Sequence, residues 1–117
     1  MAQGTALSLD SAGDLIYKIT QRYLFRKNQD AGIDISFESS PIQENMIMRL
    51  QNGMHLLVKV FPHKNYSHES VFRIEVYKTR EGDLRGNKIA FLEAPCNESA
   101  IDEIHRFVQS YLSQLGL

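Results

Sequence analysis

Lys18, Arg22 and Arg26 recur every four residues with Lys27 beside them, and no acid interrupts the stretch from Leu15 to Lys27. On a helix this spacing puts the cations on one face. A second basic group, Lys78, Arg80, Arg85 and Lys88, is set against only Glu81 and Asp83. Ammonium and guanidinium groups gathered in this way attract anions, either phospholipid headgroups or an acidic patch on a protein. The same residues also suit a solvated helix face and a charged turn. From Glu93 onward the balance reverses, with four acids and a single arginine. The formal net charge of −1 therefore covers a dipolar distribution and makes no global case for nucleic acid.

Catalytic patterns are not found. The sequence has no glycine-rich phosphate loop, no Gly-x-Ser-x-Gly and no His-Glu-x-x-His. It is read as a non-enzyme that needs no cofactor. His63 and His68 share a loop without a third ligand nearby in sequence, and a zinc site needs three or four placed ligands. They are read as solvated loop residues, with no metal assigned. His55 belongs to the polar face of a hairpin and His105 to a helix surface. Cys96, the single cysteine, follows Pro95 at a helix start, where a thiolate is favoured. With no base in view it reads as an inert thiol, and one cysteine excludes an internal disulfide.

At 117 residues, with 43% hydrophobic and 23% charged content, the chain suits one domain with a real core. No apolar run is long enough to span a membrane, and the first ten residues do not resemble a signal peptide. The expected location is cytoplasmic. The elements that must position the cations follow from periodicity. Residues 1–10 form a flexible lead-in, in which Leu7 and Leu9 have the pattern of a short edge strand, and 11–117 form the domain. Ser11 with Asp14 reads as a capping box, opening a helix that runs to about Lys27. Its apolar stripe is Leu15, Ile16, Ile19 and Tyr23, flanked by Leu24.

Ile33, Ile35 and Phe37 alternate with polar residues as a first strand. The next two strands, Glu44 to Leu50 and Met54 to Phe61, form the central hairpin. A three-residue loop, Gln51-Asn52-Gly53, pairs Leu50 with Met54, Met48 with Leu56 and Met46 with Val58, which gathers the oily side chains on one face. Pro62 stops the strand, and 62–70 form a polar loop. Phe72, Ile74 and Val76 face the core while Arg73, Glu75 and Tyr77 face away. After a charged turn over Thr79–Asn87, Ile89 and Phe91 point inward on a last strand that Pro95 ends. A closing helix starts near Asn97 or Ser99, with Ser99 and Asp102 as its cap. It presents Ile101, Ile104, Val108, Tyr111 and Leu115, with Gly116 after its end. The fold class is α+β: helix, about five antiparallel strands, helix, with both helices on one sheet face.

The segment VFRIEVYK, the charged turn REGDLRGN, then KIAFLEA and a closing helix resemble the end of a kinase-associated-1 domain. These are C-terminal regulatory domains of serine/threonine kinases. DLIYKITQRYL resembles the family's first helix, so the likeness begins at about Ser11. Two features depart from the family: lipid-binding members are usually basic, and 62–70 has no match. The resemblance implies a non-catalytic regulatory module that binds acidic phospholipid such as phosphatidylserine, placing a kinase at the inner face of the plasma membrane. It also implies contact with a kinase domain for autoinhibition. Carried over by position, the lipid-binding residues are Lys18, Arg22, Arg26, Lys27, Lys78, Arg80, Arg85 and Lys88. The alternative is a homodimeric protein-binding module such as a type III secretion chaperone, which places a helix between strand groups.

Overall fold

The computed structural model describes residues 6–50, 53–80 and 86–117. Their order is α1 (Leu9–Arg26), β1 (Asp34–Ser39), β2 (Glu44–Arg49), β3 (Met54–Lys64), β4 (Ser70–Arg80), β5 (Asn87–Pro95) and α2 (Ala100–Gln114). The strands form one antiparallel sheet in the order β1-β2-β3-β4-β5. Both helices lie on one face, as expected. Met46, Met48, Leu56, Val58, Val60, Ile74 and Val76 from the sheet share a buried core with Ile16, Ile19 and Leu24 of α1 and Ile104, Val108 and Leu112 of α2. The period-2 pattern of the strands meets the 3.6 period of the helices there. α1 lies over β2 and β3, α2 lies over β5, and the helices touch each other.

The central hairpin has the expected register, with Met48 opposite Leu56 and Met46 opposite Val58. Gly53 takes φ +77°, the left-handed conformation that closes the loop, and the Leu50 amide donates to the Met54 carbonyl at 2.9 Å. Gln51 and Asn52 lie outside the described residues.

Several boundaries differ from the sequence reading. α1 starts at Leu9, capped by Ser8, whose hydroxyl accepts from the Ser11 amide at 3.1 Å. Ser11 is therefore inside the helix, and Asp14 pairs with Lys18 at 2.9 Å instead of closing a box. The cause is upstream. The Leu7 amide donates to the Cys96 carbonyl at 3.0 Å and Ala6 bridges Asn97, so the chain is tied down at residues 6 and 7, just before the helix begins. β3 does not stop at Pro62 but continues to Lys64. β2 begins at Glu44, opposite Val60, so beyond that pair β3 has a neighbour on one side only, where a proline is tolerated.

On β5, Ile89 and Phe91 point away from the core, contrary to expectation. Val76 faces Ala90 but Tyr77 faces Lys88, so a bulge adds one residue and reverses the alternation. The inward residues are Ala90, Leu92 and Ala94, whose mostly small side chains admit α2. Before α2, the Asn97 side chain accepts from the Ser99 amide at 2.9 Å and from the Ser99 hydroxyl, while Ser99 makes no side-chain cap. At the far end Leu117 donates to the Leu112 carbonyl and Gly116 to that of Ser113, the paired bonds of a glycine-terminated helix.

Candidate functional site

The register shows which cations share a location. β1 starts, β4 ends and β5 starts at one end of the sheet, because Asp34 faces Arg49, Met54 faces Arg80 and Tyr77 faces Lys88. The last turn of α1 precedes β1, so it reaches the same end. The Tyr23 hydroxyl donates to the Leu117 carbonyl at 3.1 Å, bringing the end of α2 there too. Arg26 in the last turn of α1 also complements the negative end of the helix dipole.

Of the eight basic residues singled out by sequence, five lie at this end on the helix side of the sheet. Arg22 and Arg26 are exposed and make no ion pair among the described residues. Lys27 is the C-cap residue, with its ammonium 5.7 Å from the Tyr23 ring centre. Lys78 is half-buried across from Leu56, and Arg80 is exposed across from Met54, both on the helix side of the sheet. Lys18 sits a turn back from this end, neutralised by Asp14. Lys88 projects from the opposite sheet face, where it bonds the Glu75 carboxylate at 3.3 Å. Arg85 lies outside the described residues.

Sequence reasoning missed Phe25, which is 71% exposed between Arg22 and Arg26. The signal was present. Ile16, Thr20 and Leu24 recur every four residues and are all buried, so the next residue turns about 100° toward solvent. Beside it, a cavity of about 480 Å³ opens between α1, the loop after it and β1. Tyr17, Leu24, Phe25, Ile33 and Ile35 form its apolar walls, Arg22 projects from the helix side, and Asp30 lies on the loop side.

The helix-free face of the sheet carries a charge network. Glu75 accepts from Arg73 Nε at 2.8 Å, the Tyr77 hydroxyl at 2.8 Å and Lys88 Nζ at 3.3 Å. Burial alone raises its carboxyl, but these three donors more than offset that and hold it at about 2. Arg73 also reaches Glu93 at 3.4 Å and lies 4.6 Å from the Phe91 ring centre. The network is built from opposite charges that satisfy one another. His63, 3.5 Å from Glu93, extends it toward the β3–β4 loop. Burial pushes the Cys96 thiol up, away from a reactive thiolate.

Among the described residues no helix is long and apolar enough to cross a membrane. What the α1 end offers chemically is a set of cations, without ion pairs among the described residues, around an exposed aromatic ring. Compared with known proteins, the chain matches no protein-family model, no curated protein and no solved structure.

Proposed function

We propose that this chain is a non-catalytic module that docks on anionic phospholipid surfaces through the α1 end. The observation that carries this reading is Phe25, an exposed ring bounded by Arg22, Arg26 and Lys27. An aromatic side chain inserts at headgroup depth while cations beside it meet phosphates, each worth roughly 1 kcal/mol near an anionic surface. Lys78 and Arg80 add charge at the same end. The helix–five-strand–helix order agrees with the resemblance to kinase-associated domains. On that basis the module is a regulatory part of a serine/threonine kinase, held at the inner face of the plasma membrane and able to contact the kinase domain. The uninterrupted strand order gives no support to the helix-interrupted sheet of a secretion chaperone.

Co-sedimentation with vesicles of neutral lipid, and with about one-fifth phosphatidylserine, tests the reading at low and physiological salt. The expected result is binding only to the anionic vesicles, weakened by salt and abolished by Arg22→Glu with Arg26→Glu. Equal binding to both vesicle types, or full retention by the double variant, refutes it.

A further inference from the structure

The two edges of the sheet are protected unequally. β5 carries a bulge at Ile89, Lys88 beside it and Pro95 at its end, and just beyond it Ala6 bridges Asn97. These are the devices that keep an edge strand from pairing with another chain. β1 pairs only with β2, in unbroken register from Asp34 to Ser39, and contains no bulge, proline or lysine. Alongside this open edge runs the 480 Å³ cavity, with apolar walls from Leu24, Phe25, Ile33 and Ile35, Arg22 on its helix side and Asp30 on its loop side. An edge-to-face contact between Tyr17 and Phe37, with centroids 5.8 Å apart, braces α1 against β1 next to it.

We propose that β1 accepts an extended peptide of a partner protein as an added strand. One apolar side chain of the peptide enters the cavity between α1 and β1, and an acidic side chain two positions away, on the same face, pairs with Arg22. On the other face Glu38, exposed and without an ion pair among the described residues, favours a basic peptide residue. The cavity lies in the size range of sites that hold a small ligand or anchoring side chain.

A second copy of the chain fits the edge less well. Symmetric antiparallel pairing about Ser36 sets Asp34 opposite Glu38 twice on one face, and like charges there repel. A peptide with a basic residue opposite Glu38 avoids that repulsion. This proposal shares Arg22 with lipid docking, but its test uses no membrane.

The probes are eight-residue synthetic peptides with valine, leucine or phenylalanine at the anchor, glutamate two positions on, and threonine and lysine on the alternate face. Each is also made in two N-methylated forms, blocking one or the other alternate set of amides. Amide resonances of β1 are expected to shift, with saturation below about 1 mM. One N-methylated form must lose binding, and Arg22→Glu must weaken it at least tenfold. The proposal is overturned if no peptide shifts β1, if both methylated forms bind like the parent, or if Arg22→Glu leaves binding unchanged. A concentration-dependent doubling of mass that protects β1 also overturns it, assigning the edge to a second copy.

Discussion

Gly13 of α1 lies directly against Glu44 of β2. A Cβ on Gly13 would stand 2.9 Å from both Cβ and Cγ of Glu44, and 2.9 Å from the end of the Phe37 ring. The helix reaches the sheet here only because the side chain is missing. Alanine favours a helix interior by up to about 1 kcal/mol over glycine, but overpacking costs about 1–3 kcal/mol. Gly13→Ala is therefore expected to lose stability, read as a lower urea midpoint with an unchanged slope. A stabilised variant would disprove the close contact.

Glu44 is itself fully buried, and neither carboxylate oxygen has a hydrogen-bond partner among the described residues. Burial raises its pKa; Asp10 nearby raises it further, and Ser39 opposes the shift. A raised carboxyl pKa means that the folded state holds the proton longer. This group therefore costs nothing below the ordinary glutamate value, and stability falls as pH rises from there to the folded pKa. Glu44→Gln is expected to gain about 1–3 kcal/mol at pH 8 and little at pH 4. Denaturation curves for both proteins at the two pH values check the sign.

Glu75 has the opposite sign. Its pKa falls from 4.5 to about 2, so it stabilises the fold above the ordinary value and loses that contribution as pH drops toward 2. A shift of this size corresponds to about 3 kcal/mol. Glu75→Gln is expected to destabilise by that order at pH 7 and to converge with the wild type in acid. A constant difference across the pH range would show that packing, not charge, is what Glu75 contributes.

Lys88 was grouped with the anion-binding cations by sequence, yet it projects from the other sheet face as a partner of Glu75. Lys88→Gln is expected to lower thermal stability modestly and leave vesicle binding within twofold of the wild type. Phe25→Ala is expected to do the reverse, weakening vesicle binding several-fold with little change in melting temperature. Paired melting and co-sedimentation measurements separate the two roles.

Alternation exposed most of the sheet in advance. Met46, Met48, Leu56 and Val58 could sit on one side in only one register, and that register is observed. The same period places Glu44 on the oily side, although its charge argues for the surface, so parity was the better guide. The bulge at Val76 and Tyr77 left no mark in the sequence, because Ile89 and Phe91 alternate as well as Ala90 and Leu92 do. Bulk favoured the wrong pair, since a helix packed closely on β5 selects small side chains that hydropathy undervalues. Among the cations, four-residue spacing located Arg22 and Arg26 correctly. Spacing carried nothing about Lys18 meeting Asp14 or Lys88 meeting Glu75, because those pairings depend on neighbours.

Each strand pairs only with its neighbours in the chain, so the sheet can zip from one turn to the next with short loops to close. The distant partners are those of α1, whose Tyr23 reaches Leu117 across 94 residues and whose lead-in bridges Asn97. The loss of chain entropy is concentrated in docking that helix. Detachment of α1 from an intact sheet is therefore the expected first opening of the molecule, and hydrogen exchange should find α1 amides unprotected before those of β3 and β4. The same step would take away the α1 wall of the β1 cavity, so that cavity exists only while the longest-range contacts of the fold are in place.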